Sequence, residues 1–148
     1  MPQSLAKLYT HLVFSTKNRE SIIDPIDKEE LHAYMAGILN ELKSNAVIIN
    51  SMPDHVHLLF NLSRTVTVAK VVEDIKSSSS KWMKNRNKHW ESWQSGYGAF
   101  SVSESQLRIV SNYIRNQEEH HKDLTYKQEF RKLLTKHRIE FDERYVWD

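Results

Sequence analysis

The segment "MPDHVHLLF", residues 52–60, constrains the fold more strongly than any other stretch of the chain. It is rich in strand-forming residues, and alternate side chains of a strand lie on the same face of a sheet. One face then carries the apolar side chains of Val56, Leu58 and Phe60. The opposite face carries His55 and His57 next to each other. The segment therefore predicts a buried strand with two adjacent imidazoles on one surface.

The composition predicts one soluble domain spanning residues 1–148, since 39% of the residues are hydrophobic and 27% are charged. The chain has no cysteine, which excludes disulfides, thiolate zinc sites and cysteine nucleophiles. No apolar run is long enough to cross a membrane, and the N-terminal residues do not form a signal-peptide pattern. We therefore expect a cytoplasmic location and no membrane partner.

The hydrophobic periodicity predicts four strands, at about residues 5–16, 46–51, 55–62 and 99–103. Helices are predicted to begin near Asp27, near Thr67 and near Ser103, where capping residues occur, and the third should run to about His121. A last helix is predicted over about residues 126–137. This order indicates an α+β, ferredoxin-like (RRM-like) fold. Its four-stranded antiparallel sheet would carry helices on one face, leaving the two histidines on the open face.

A basic segment follows in the second helix. From Lys76 to Trp90 there is no acidic residue, and tryptophans lie in and just after the segment. Basic residues together with aromatic side chains suit a nucleic acid, because they can bind its phosphates and stack on its unpaired nucleobases. A solvated helix face has the same composition. Four serines at residues 77–80 allow either close packing against a neighbour or close approach to a nucleic acid.

The two strand histidines could bind a metal ion, although such pairs also occur on ordinary polar surfaces. Two ligands hold a divalent cation poorly, so a third is needed. In "SNYIRNQEEHH", residues 111–121, helical spacing brings Tyr113, Gln117 and His120 to one side of the helix, beside its apolar stripe. A tyrosine at the edge of a core, with its hydroxyl in water, gives the same pattern.

Several motifs together resemble the single-tyrosine HUH transposases of IS200-like (TnpA-type) insertion sequences, which are related to the REP-associated tyrosine transposases. The motifs are "YTHLVFSTKNR", "MPDHVHLL", "GYGAFSVS", "YIRNQEEHH" and "FDERYVWD". The second is similar to the family's HUH motif, and the fourth to its tyrosine motif. The resemblance covers nearly the whole chain.

This resemblance implies a role for each matching residue. Tyr113, on a catalytic helix near the C-terminal end, would be the nucleophile, and His55, His57 and Gln117 would bind Mg²⁺ or Mn²⁺. The substrate would be single-stranded DNA bearing a hairpin. The chain would act as a homodimer, with active sites that can be completed by the partner's tyrosine helix. The accessory candidates are His120, His121 and Asp54, and the candidate DNA contacts are Lys17, Arg19, Lys76, Lys81, Lys84 and Arg86.

The chemistry agrees with these roles. Attack of a tyrosine on a phosphodiester gives a 5′-phosphotyrosine and a free 3′-hydroxyl, so the step is reversible without ATP. A divalent cation polarises the phosphate. Two alternatives use the same residues differently. A binding module would hold a DNA or RNA hairpin without cutting it, and a metal-dependent phosphoesterase would use water and leave no covalent adduct.

Overall fold

The computed structural model describes residues 2–148 and contains one four-stranded antiparallel sheet. Its strands are β1 (Tyr9–Ser15), β2 (Ala46–Met52), β3 (His55–Asn61) and β4 (Gly98–Val102), in the order β2-β3-β1-β4. All neighbouring pairs are antiparallel. The predicted α+β fold is confirmed. The first strand begins later than predicted because residues 2–8 are exposed and do not join the sheet.

Five helices surround the sheet. They are α1 (Lys28–Glu41), α2 (Val68–Arg86), α3 (Leu107–Arg115), α4 (Gln117–His120) and α5 (Tyr126–Lys136), with short 3-10 turns at Lys17–Arg19, Pro25–Asp27 and Glu104–Gln106. Thr67 caps α2 as predicted, by accepting a hydrogen bond from the backbone N–H of Lys70. Asp27 does not cap α1 through its side chain, since Asp24 caps the preceding 3-10 turn instead.

The main core lies between α1, α2 and one face of the sheet. The apolar side of β3 contributes its three predicted residues, Val56, Leu58 and Phe60, all fully buried. The serines of α2 do not interrupt the helix. Ser79 and Ser80 accept hydrogen bonds from the indole N–H groups of Trp93 and Trp90, at 2.9 and 3.0 Å. The small residues therefore permit close packing.

The second face of the sheet is covered, which contradicts the prediction of an open face. Helix α3 packs Ile114 against Leu59 on this face. Helix α5 packs Phe130 and neighbouring apolar residues against Val13 of β1. Since this face is itself largely apolar, leaving it in water would be unfavourable. The two histidines of β3 consequently have no exposed surface.

The predicted single helix from Ser103 to His121 is divided at Asn116. This residue has φ −96° and ψ 26°, and separates α3 from α4. The side chain of Asn50 in β2 donates from Nδ2 to the carbonyl of Ile114 at 2.8 Å. That bond satisfies a carbonyl at the end of α3, where helices leave such groups unpaired. Among residues 2–148, no helix is long and apolar enough to span a membrane.

Candidate active site

The two histidines of β3 lie in the interior of the sheet. His57 is paired with Val13 on one side and with Asn50 on the other, so its backbone is fixed by two neighbouring strands. His55 stands two residues earlier on the same face, and the ring centroids of the two imidazoles are 5.2 Å apart. Both rings point toward α5.

A carboxylate from α5 forms the centre of the site. Glu129 is 1% exposed, and its Oε1 lies 3.2 Å from His55 Nε2, 3.1 Å from His57 Nε2 and 2.9 Å from His121 Nε2. Sequence reasoning missed this residue. Its spacing in the sequence could have indicated a buried carboxylate, because Glu129 lies on the same stripe of the helix as Tyr126, Phe130 and Leu133.

Tyr113 and Gln117 reach the same carboxylate from α3 and α4. The Tyr113 hydroxyl donates a hydrogen bond to Glu129 Oε2. Gln117 Nε2 donates to the same oxygen at 2.8 Å, and Gln117 Oε1 lies 3.0 Å from His55 Nε2. The residues that meet here, called the Glu129 cluster below, are His55, His57, Tyr113, Gln117, His121 and Glu129. The structure therefore brings the predicted nucleophile and all three predicted metal ligands into one buried group.

A second layer of polar side chains orients the histidines. Asp54 Oδ1 lies 2.6 Å from His55 Nδ1, and His11 Nε2 lies 2.8 Å from His57 Nδ1. Each bond fixes which way its imidazole faces, as is usual for histidines that serve as ligands. Of the accessory candidates, His121 thus joins the cluster and Asp54 orients it.

The third accessory candidate, His120, has a different position. Its ring stacks on the ring of Tyr113, with centroids 4.6 Å apart. Its Nε2 atom is buried and has no hydrogen-bond partner among residues 2–148. A polar atom in this state is usually satisfied by a ligand, an ion or water.

The electrostatics of the cluster are those of a buried carboxylate among imidazoles. Burial would raise the pKa of Glu129, but hydrogen bonds from His121, His55 and His57 hold it well below its usual range. Burial would lower the pKa of His55, but its hydrogen bonds to Asp54 and Glu129 raise it to about 9. Burial and the Glu129 charge raise the pKa of Tyr113, which is therefore a neutral phenol in this arrangement.

The cluster also has the donor atoms of a metal site. Ligand atoms of His55, His121 and Glu129 all lie within 4.8 Å of one another. Imidazole nitrogens with carboxylate and amide oxygens form a mixed N/O set that suits Mn²⁺ well and is less usual for Mg²⁺. The residues present therefore fit a divalent cation.

The six candidate DNA contacts have different positions. Four of them make contacts within the protein: Lys17 with Glu91, Arg19 with the carbonyl of Trp147, Lys76 with the carbonyls of residues 94–96, and Arg86 with Glu30 and Asp27. Burial lowers the pKa of Lys76 to about 8. Lys81 and Lys84 are exposed on α2.

Comparison with known proteins identifies the family. A family model described as "Transposase IS200 like" matches residues 4–117. The ISDra2 transposase TnpA of Deinococcus radiodurans is 25% identical over 118 residues, which cover 75% of this chain and 84% of that protein.

Two solved structures are also similar. A crystal structure described as a transposase of Deinococcus radiodurans has a TM-score of 0.61 and 26% identity, covering 79% of this chain and 98% of that one. A REP-associated tyrosine transposase bound to a REP hairpin has a TM-score of 0.63 and 14% identity, covering 82% and 73%, and shows likeness of fold. Because the family model matches most of the chain, the protein belongs to the IS200-like transposase family.

Proposed function

We propose that this transposase cleaves and rejoins single-stranded DNA at hairpin-marked ends, through a 5′-phosphotyrosine formed on Tyr113. The observation that carries the proposal is the convergence of the Tyr113 hydroxyl, two histidines and Gln117 on one buried carboxylate. A structural core has no need for these groups in one place, whereas phosphoryl transfer can use them as nucleophile, proton acceptor and metal ligands. The relative bound to a REP hairpin supports a hairpin as the substrate feature.

The reaction requires that Tyr113 lose its proton as its oxygen attacks phosphorus. Glu129 Oε2 already accepts the hydrogen bond of this hydroxyl, so it is placed to take the proton during the attack, and its low pKa means that it passes the proton on rather than keeping it. The bond between phosphorus and the 3′-oxygen breaks, and the released oxygen takes up the proton that Tyr113 gave to Glu129 and becomes a 3′-hydroxyl. The phosphate stays on the 5′ end, joined to tyrosine, and a 3′-hydroxyl can later reverse the step.

The cofactor we propose is Mg²⁺ or Mn²⁺. His55, His57 and Gln117 would hold it, and the positions of His121 and Glu129 add them to the candidate ligands. Once bound, such an ion polarises the phosphate and offsets the charge gained in the transition state. Holding the ion requires neutral imidazoles, so His55 must release its proton when the ion binds.

For the hairpin we propose a path along the end of α2. Lys84 lines a cavity that also contains Ser21 and Pro53, and a neighbouring cavity contains the same two residues together with Asp54 and His121. Lys81 is exposed one turn before Lys84. Phosphates near these two lysines would lead the strand toward the Glu129 cluster.

The proposed assembly is a homodimer in which each chain carries its own complete site. Within a single chain the Tyr113 hydroxyl and Gln117 already reach Glu129, which supports a site formed inside each chain. Mixing Tyr113→Phe with His57→Ala chains tests this arrangement. The mixture should stay inactive, whereas recovered activity would show that sites form between chains.

The central experiment is a denaturing gel of the protein mixed with labelled single-stranded hairpin DNA and Mn²⁺. A shifted, protease-sensitive band should form with the unaltered protein and with Tyr145→Phe, a control at a tyrosine that is 63% exposed. Tyr113→Phe should give no such band and should still bind DNA. Cleavage without an adduct would instead indicate a water-using phosphoesterase, and binding without either product would indicate a binding module.

A further inference from the structure

A cavity of about 590 Å³ opens beside Tyr113, between β4, α3 and α5. Its lining includes Phe100, Ile109, Val110, Tyr113, Lys132 and Lys136. Its volume lies within the range of about 300–1,000 Å³ that is typical of ligand sites. The Glu129 cluster does not use most of these residues, so the cavity needs a separate explanation.

The walls of the cavity are suited to a flat, largely apolar group. Ile109 and Val110 of α3 contribute aliphatic surface, together with Leu124. On another side, the rings of Phe100 and His137 stack with their centroids 4.4 Å apart. Ile109 is 58% exposed, so its side chain is available to a ligand.

The polar groups of the cavity are suited to phosphate. Lys132 and Lys136 are four residues apart on α5, so they lie on one side of the helix, and both are exposed. Neither forms an ion pair with a carboxylate elsewhere in residues 2–148. His120 lines the same cavity, and its buried Nε2 has no partner in that part of the chain.

We propose that this cavity binds one unpaired nucleotide of the DNA strand, next to the phosphate that Tyr113 attacks. The base lies against Ile109, Val110 and Leu124, and the lysines of α5 hold its backbone phosphates. The inference rests on the proposed function, because Tyr113 forms one wall and defines which phosphate is adjacent. Lysines beside an apolar wall can hold a single strand through its phosphates and the face of a base, without reading its sequence.

The test compares two probes that carry the same phosphates, a ten-nucleotide thymidine strand and a ten-nucleotide abasic strand, in buffer with EDTA. The thymidine strand should bind about fivefold more tightly, at the lower end of the range for a base stacked on an aromatic ring, because the wall here is aliphatic. In methyl NMR spectra it should shift the signals of Ile109, Val110 and Leu124, while the abasic strand should not.

Matched variants separate the base contact from the phosphate contact. Ile109→Ala should reduce the preference for the thymidine strand several-fold, while Ile139→Ala, at another exposed isoleucine, should leave it unchanged. The double variant Lys132→Ala with Lys136→Ala should weaken both probes alike. Equal binding of the two probes, or methyl shifts confined to other parts of the protein, would overturn the inference.

The adduct gel distinguishes this failure from failure of the proposed function. If the protein forms the adduct but the methyl signals of the cavity do not shift with the thymidine strand, only the nucleotide-binding role of the cavity is rejected. A responding cavity in a protein that forms no adduct would reject the phosphotyrosine reaction.

Discussion

Replacing Glu129 by glutamine is the most informative single change, because this side chain connects every member of the Glu129 cluster. The substitution keeps the volume and one acceptor oxygen but removes the negative charge. His55 has no exposed surface, and its pKa of about 9 depends on both Asp54 and Glu129, so the change removes one of the two carboxylates that hold this buried imidazolium. Breaking a buried ion pair in this way costs about 3–5 kcal/mol.

Because glutamine keeps one acceptor oxygen, we expect the free energy of unfolding to fall by about 3 kcal/mol, the lower end of that range. For a chain of this size that corresponds to a fall in melting temperature of about 6–12 °C. The measurement is thermal unfolding followed by circular dichroism at pH 7 in EDTA. Glu73→Gln, at an exposed position on α2, is the matched control and should melt like the unaltered protein.

The pH dependence gives the sharper test. The folded pKa of His55, about 9, lies above its ordinary value of 6.5, so the ion pair stabilises fully below about 6.5. Its contribution is lost as the pH rises through about 9. The difference in melting temperature between Glu129→Gln and the unaltered protein should therefore become smaller between pH 7 and about pH 10. A gap that is absent at pH 7, or that widens with pH, would refute the proposed charge arrangement.

Three further predictions concern residues outside the cluster. If Lys81 and Lys84 contact phosphates, changing each to alanine should lower the slope of log affinity against log salt by about 0.7–0.9, measured by fluorescence anisotropy with hairpin DNA. Lys76→Met should leave that slope unchanged. It should lower the free energy of unfolding by about 1–3 kcal/mol in urea titrations, because the carbonyls of residues 94–96 lose their hydrogen-bond donor. Burial lowers the pKa of His32 to about 4. Neutral His32 therefore stabilises the folded protein fully above about pH 6.5, and this part of the free energy of unfolding is lost as the pH falls toward 4. His32→Gln should reduce the loss of stability between pH 7 and pH 5 by roughly 2 kcal/mol in the same titrations, and an equal loss in both proteins would contradict this reading.

The sequence predicted the sheet and the site unevenly, for physical reasons. The alternation in β3 determines which side chains share a face, so the opposed positions of Val56 and His57 could be predicted from spacing alone. The covered second face could not, because packing of α3 and α5 depends on contacts distant in the chain. The same applies to Asn50, whose side chain binds the carbonyl of Ile114 in the last turn of α3 although nothing near Asn116 in the sequence breaks a helix.

Glu129 shows a second limit of sequence reasoning. The two β3 histidines, Tyr113 and Gln117 lie within residues 4–117, which the family model matches, whereas His121 and Glu129 lie beyond that stretch. A lone glutamate on an apolar stripe indicates a buried carboxylate, but its partners appear only when the sheet and α5 are packed together.

The turn at Asn116 has a mechanical consequence for strand exchange. A single rigid helix would force the tyrosine and the glutamine, four residues apart, to move as one body. With α3 and α4 separated at Asn116, the proposed adduct on Tyr113 would belong to one helix and Gln117 to the next, so the two residues would not have to move together. The protein could thus carry one strand toward another without dismantling the group that receives it.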